Sequence, residues 1–197
     1  MDDGSRRNPS MTLGIDLGDK YSHLCLLDTE SGEVIEEGRL RTTPEALKQR
    51  FCSERPLCVA IEAGTHSPWV SRLLKECGHE VLVANPRKTR LIYGDKHKTD
   101  KLDAENLARL ARVDPKLLHP LKHRGESSQA HLAILRSREA LVGTRTQLIN
   151  HLRGAVKSFG ARLPKCSARS FHKKKKKMAE HLPKELLPAL EPLYCRP

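Results

Sequence analysis

The chain has 197 residues, of which 36 are Lys or Arg and 24 are Asp or Glu, a formal net charge of +12, and 38% of it is hydrophobic. That length and composition supply one real core and an appendage rather than two large domains. No apolar run approaches the ~18 residues of a membrane span, and the polar stretch Met1–Ser10 does not read as a secretory signal peptide, so neither an integral membrane protein nor a secreted mini-protein is expected.

Residues 1–10 read as a disordered leader, with the fold starting at Met11. Strands are predicted over Thr12–Gly18, Tyr21–Asp28 and Glu33–Arg41, joined by short turns at Gly18–Lys20 and Ser31–Gly32. Pro44, preceded by Thr42 and Thr43, opens a short helix to about Phe51. Leu57–Ile61 is a compact apolar strand, Ser67–Cys77 a helix with Gly78 at its end, and Glu80–Ala84 a fifth strand closed by Asn85–Pro86. Three antiparallel strands followed by helix–strand–helix–strand describe an α/β layer sandwich of the ribonuclease-H type. A basic loop over residues 87–98 leads to a helix from about Thr99 to Val113, stopped by Asp114–Pro115.

From Ser127 to about Phe159 there is no proline and only two glycines, which predicts one long helix. Its apolar pairs Ile134/Leu135, Leu141/Val142 and Leu148/Ile149 recur every seven residues, a coiled-coil-like seam flanked by arginines. Pairing with a second chain is the expected use of that seam. Beyond Pro164 the tail is rich in proline and lysine and is expected to be poorly ordered. The six cysteines contain no C-x-x-C pair and match neither a zinc site nor a compact disulfide framework, so reduced thiols in a cytosolic protein are expected.

The positive charge is concentrated. Residues 1–114 carry 18 basic and 19 acidic side chains, whereas residues 115–177 carry 16 basic and only Glu126 and Glu139 as acids. A net +14 over that segment is best relieved by a polyanion, and nucleic acid is the expected partner. Only Phe159 and Phe171 supply aromatic rings there, which favours phosphate contacts over base stacking.

Four acids stand where simple folding would not put them. Asp16 lies mid-strand between Ile15 and Leu17, and Glu62 follows the apolar run Leu57–Ile61 at the rim of the sheet. Asp100 and Asp103, spaced i, i+3, project from one face of a helix start. Burying such charge costs several kcal/mol unless it is compensated. Each acid also has an ordinary reading as a turn former, a helix-start acid or an Arg partner. Together they describe an all-oxygen site for Mg²⁺ or Mn²⁺, with two ions ~4 Å apart able to activate an attacking oxygen and stabilise a leaving one.

The strand GIDLG (14–18), the segment AIEAGTHSPW (60–69) and the helix start KTDKLDAENLA (98–108) resemble the DEDD transposases of bacterial insertion sequences, from Met11 to about Pro192. The resemblance implies a RuvC-like nuclease domain over residues 11–114, with Asp16, Glu62, Asp100 and Asp103 as catalytic metal ligands. It further implies a linker and long basic helix over 115–163, binding to element DNA, and in part of the family binding to a structured RNA. Family members continue into a C-terminal domain carrying a serine thought to attack DNA. Here residues 164–197 match only the start of such a region, so a truncated copy is expected and no serine is assigned as nucleophile.

On this reading Lys96, Lys98 and Lys101 hold neighbouring phosphates, while Arg136, Arg138, Arg145, Arg153 and Lys157 track nucleic acid along the long helix. The expected protein is a cytoplasmic, nucleoid-associated transposase that self-associates through that helix. One alternative is a catalytically incomplete nucleic-acid-binding remnant that pairs with full-length transposase. A third is a fragment of a sugar-kinase or Hsp70-like ATPase, which shares the GIDLG hairpin but needs a second Gly-rich phosphate turn that is missing after residue 18.

Overall fold

The computed structural model describes residues 9–89 and 99–188. Residues 1–8 of the predicted leader, residues 90–98 of the basic loop and the last nine residues lie outside them. The chain divides into two compact units, Met1–His123 and Arg124–Pro197.

The first unit is a five-stranded mixed sheet with the order β3-β2-β1-β4-β5. Its elements are β1 (Met11–Asp16), β2 (Tyr21–Asp28), β3 (Val34–Arg41), α1 (Pro44–Phe51), β4 (Cys58–Glu62), α2 (Ser67–Glu76), β5 (Glu80–Ala84), α3 (Pro86–Thr89) and α4 (Asp100–Val113). Strands β1, β2 and β3 run antiparallel, while β4 and β5 run parallel to β1. This is the ribonuclease-H-like layer sandwich expected from the sequence. The expected elements form within a residue or two because local signals agree: Thr43 caps α1, whose first residue is Pro44, and Thr99 caps α4 by accepting from the Leu102 N–H.

The two faces of the sheet differ in side-chain size. One buries Leu13, Ile15, Leu24, Val59 and Ile61 against Leu47, Phe51, Val70 and Leu74 of α1 and α2. The other presents Gly14, Cys25, Ala60 and Ala84 to Ala104, Ala108 and Ala111 of α4. Small residues on both sides let α4 lie close to the sheet. At Gly14 the approach leaves no room for a side chain, since a Cβ would fall 2.6 Å from the Ala108 amide nitrogen and closer still to the Ala104 carbonyl oxygen. The C-terminal end of α4 is pinned as well, by Arg112 donating to the backbone carbonyls of Thr29 (2.9 Å) and Glu30 (2.8 Å).

The first unit continues past residue 114 through a 3₁₀ turn at Pro115–Leu118. Leu118 is buried, the Asn85 N–H donates to its carbonyl, and the Leu121 N–H donates to Val83. His123 then reaches Ser67 at the start of α2, with Nε2 3.0 Å from Oγ. The expectation of uniformly reduced thiols is corrected: Cys52 and Cys77 form a disulfide. They are the C-caps of α1 and α2, and packing of those two helices sets their Cα atoms 4.6 Å apart. Spacing along the chain could not reveal a bridge created by tertiary packing.

In the second unit α5 (Glu126–Ser158) is the predicted long helix. Ile134 (66% exposed), Leu135 and Leu141 (73%) are open to solvent, and burial begins only at Ile149. There the expectation of a poorly ordered tail is also corrected for the described residues. A 3₁₀ turn at Phe171–Lys174 leads into α6 (Lys175–Ala179), and Phe171, Met178 and Leu182 close a small core on Ile149, Leu152 and Val156.

Candidate metal centre

Strand register explains how the site is built. Asp16 is two residues beyond Gly14 and shares its face of the sheet, the face covered by α4. On one side its antiparallel partner is His23 of β2. On the other, the parallel pairing that joins Ile15 to Ile61 brings Glu62 of β4 alongside. His23 in turn pairs with Arg39 and Glu62 with Ala84. One row across the sheet therefore reads Arg39, His23, Asp16, Glu62, Ala84 at the end of β1.

Helix α4 starts over this row. Asp100 is one turn before Ala104, whose carbonyl meets Gly14, and Asp103 immediately precedes it. Both acids lie in the first helical turn, where the partial positive charge of the helix end favours carboxylates. Among the described residues, Asp16, His23 and Asp100 come together with one potential ligand atom each, all within 4.8 Å of one another. His23 Nδ1 is 3.6 Å from Asp100 Oδ2. Glu62 and Asp103 adjoin this group along β4 and α4 but are not members of it.

Neighbouring groups supply negative potential. Glu37 and Glu105 add to the dominant effect of burial in pushing the Cys25 thiol up to about 11. Cys25 lies on the same face as His23, two residues along β2, and is held as the neutral thiol. The hairpin before His23 is fixed by Thr42, whose hydroxyl donates to the Gly18 carbonyl (2.9 Å) and lies 2.8 Å from the Ser22 hydroxyl. The loop after Glu62 is fixed by Ser67, which accepts from the Gly64 N–H (2.9 Å) and donates to the Gly64 carbonyl (2.8 Å).

The predicted phosphate contacts are differently placed. Lys96 and Lys98 lie outside the described residues. Lys101 is on α4 next to Asp100, with Nζ 3.5 Å from Glu37. Arg136, Arg138, Arg145 and Lys157 are exposed on α5, whereas Arg153 donates to the backbone carbonyl of Cys166 and so helps to hold the tail. His23 is the site residue missed in sequence reasoning. The hairpin carried the signal: a short turn between Gly18 and Tyr21 sets residue 16 opposite residue 23.

Two carboxylates and an imidazole in reach of one another could hold a divalent cation. A family model described as transposase, of the DEDD, IS110 type, matches residues 13–160. The chain is 29% identical over 158 residues to the transposase for insertion sequence element IS1328 of Yersinia enterocolitica, covering 80% of this chain and 46% of that protein. It is 31% identical over 150 residues to a probable family 20 transposase of Pseudomonas aeruginosa, covering 75% and 42%. It thus spans less than half the length of either relative. Among solved structures, RuvC of T. thermophilus in complex with a Holliday junction substrate matches with a TM-score of 0.36 and 18% identity, covering 53% of this chain and 96% of that one.

Proposed function

The chain belongs to the DEDD transposase family of the IS110 type, and from that premise we propose that it binds element DNA and supports its divalent-metal-dependent cleavage during transposition. The observation that carries this reading is the meeting of Asp16 and Asp100 beside His23, at the strand ends beneath the start of α4. Asp16, Glu62, Asp100 and Asp103 would hold the cation, with Glu62 and Asp103 drawn in from the adjoining positions. A bound Mg²⁺ or Mn²⁺ pair would supply Lewis-acid stabilisation of the attacking and leaving oxygens of a phosphodiester. The chain's own part is to present oxygen donors on a rigid strand and helix end, and to hold the substrate.

For holding it we assign the exposed cations of α5, namely Arg136, Arg138, Arg145 and Lys157, with Lys101 beside the centre. Five phosphate contacts give a log–log salt slope of about −4.5, so affinity for duplex DNA should fall several hundred-fold between roughly 50 and 200 mM salt. A structured RNA would meet the same cations and is the second ligand to test. The exposed seam of Ile134, Leu135 and Leu141 supports self-association through α5.

The decisive experiment compares nicking of branched and duplex element DNA with Mg²⁺ or Mn²⁺ by the unsubstituted chain and by Asp16→Asn. Metal-dependent nicking that disappears in the variant supports the proposal. Equal nicking by both refutes the assigned centre. Salt-sensitive binding without any turnover would instead favour the nucleic-acid-binding alternative.

A further inference from the structure

We propose that His23 is a direct nitrogen ligand of the cation, and that it makes this centre prefer Mn²⁺ to Mg²⁺. The inference rests on the metal-dependent reading above and concerns a residue outside the D-E-D-D set. The position of His23 is fixed by backbone: it is the cross-strand partner of Asp16, so the two side chains leave the same face of the sheet side by side.

The one close separation in the group, between His23 and Asp100, is of the size that two donors sharing an ion adopt. At 3.6 Å, Nδ1 and the Asp100 carboxylate are too far apart for a good hydrogen bond. Two donors each about 2.1–2.2 Å from one ion, at angles between octahedral and tetrahedral, lie roughly 3.0–3.6 Å from each other. The Asp100 side chain is 73% exposed, and a pairing with such a group contributes little by itself.

The donor type carries the selectivity. Mg²⁺ gains little from exchanging a water oxygen for an imidazole, whereas affinity for a nitrogen donor rises along the first transition row from Mn²⁺ onward. A site made only of Asp and Glu would lack this nitrogen contribution.

The test uses the full chain and the metals alone. Mn²⁺ and Mg²⁺ affinities are measured by calorimetry for the unsubstituted protein, His23→Ala, His23→Gln and Asp16→Asn, and bound Mn²⁺ is probed by pulsed electron paramagnetic resonance for coupling to histidine nitrogen. The expected result is histidine coupling in the unsubstituted chain that vanishes in both His23 variants. A loss of Mn²⁺ affinity of about 10-fold or more should accompany it, with Mg²⁺ affinity changed by less than about 3-fold. Bound Mn²⁺ without nitrogen coupling overturns the proposal, and needs no variant to fold. Equal losses for the two metals in His23→Ala also overturn it. If Asp16→Asn leaves binding unchanged while the His23 variants lose it, the carboxylate centre fails and the histidine assignment stands.

Discussion

Gly14→Ala tests how the centre is assembled. The added Cβ would lie 2.6 Å from the Ala108 nitrogen and 3.0 Å from the Ala108 Cβ, and closer still to the Ala104 carbonyl. Ordinary contact begins near 3.4 Å, so α4 or β1 must move by at least about 0.8 Å. Both partners are backbone in regular elements, and neither can yield by a rotamer change. Overpacking of this kind costs about 1–3 kcal/mol, with the upper end expected for a backbone collision. For a unit of this size that is a drop in Tm of roughly 10 °C. Because Asp100 rides on α4 one turn from the collision, the same shift should weaken Mn²⁺ binding. Thermal unfolding and metal titration of the variant read both effects. The control is Gly38→Ala, whose Cβ would meet only Leu24 at 3.6 Å. If Gly14→Ala unfolds within 1 °C of the parent and binds metal equally, the close approach of α4 is wrong.

The other predictions concern parts away from the centre. The Cys52–Cys77 bridge spans 25 residues, so Cys52→Ser with Cys77→Ser should destabilise the first unit by about 3 kcal/mol on chain-entropy grounds; urea unfolding with and without reductant checks this, and a reductant-insensitive midpoint would contradict it. Gly143 and Gly154 lie within α5 with open space where a Cβ would go. Each Gly→Ala change should add about 0.5–1 kcal/mol to helix stability, and an unchanged or lowered helical melting temperature would count against the continuous helix. Burial, with Lys75 and Arg72 nearby, holds the pKa of His123 below its ordinary value. The unfolded chain therefore binds the extra proton first: the contribution is present above about pH 6.5 and is lost as pH falls through that value toward the folded pKa. Stability measured from pH 7.5 to 5.5 should fall more steeply for the parent than for His123→Gln, and parallel curves would reject the assignment.

What was legible in the sequence was whatever neighbours along the chain decide. The helix start near Thr99, Pro44 opening a helix after Thr43, the hairpin turn after Gly18 and the acids at Asp100 and Asp103 each announce themselves within a few residues. The features that escaped depend on tertiary register. The Cys52–Cys77 pair exists because two helices end side by side, and the folding of the tail depends on Phe171 and Met178 finding the end of α5. His23 belongs between these cases, since simple hairpin arithmetic places it opposite Asp16, but an isolated histidine carries no motif.

The architecture also suggests why a cluster of partly exposed acids can be carried here at tolerable cost. Leu13, Ile15, Val59 and Ile61 supply apolar burial on the opposite face of the same strands, so the α4 face need not maximise it. That face spends its positions on glycine and alanine, which contribute little hydrophobic stabilisation but bring a helix end down to the strand ends. The repulsion among Asp16, Asp100 and their neighbours is relieved by the protein's own groups, His23 and the positive end of α4 among them, and further by a bound cation. The protein's groups are built in; the cation is conditional. It follows that divalent metal should stabilise the first unit against unfolding in proportion to its affinity. Asp16→Asn, which removes one carboxylate from the cluster, should abolish most of the gain from metal. A variant that is stabilised by metal as much as the parent would show that Asp16 does not hold the cation.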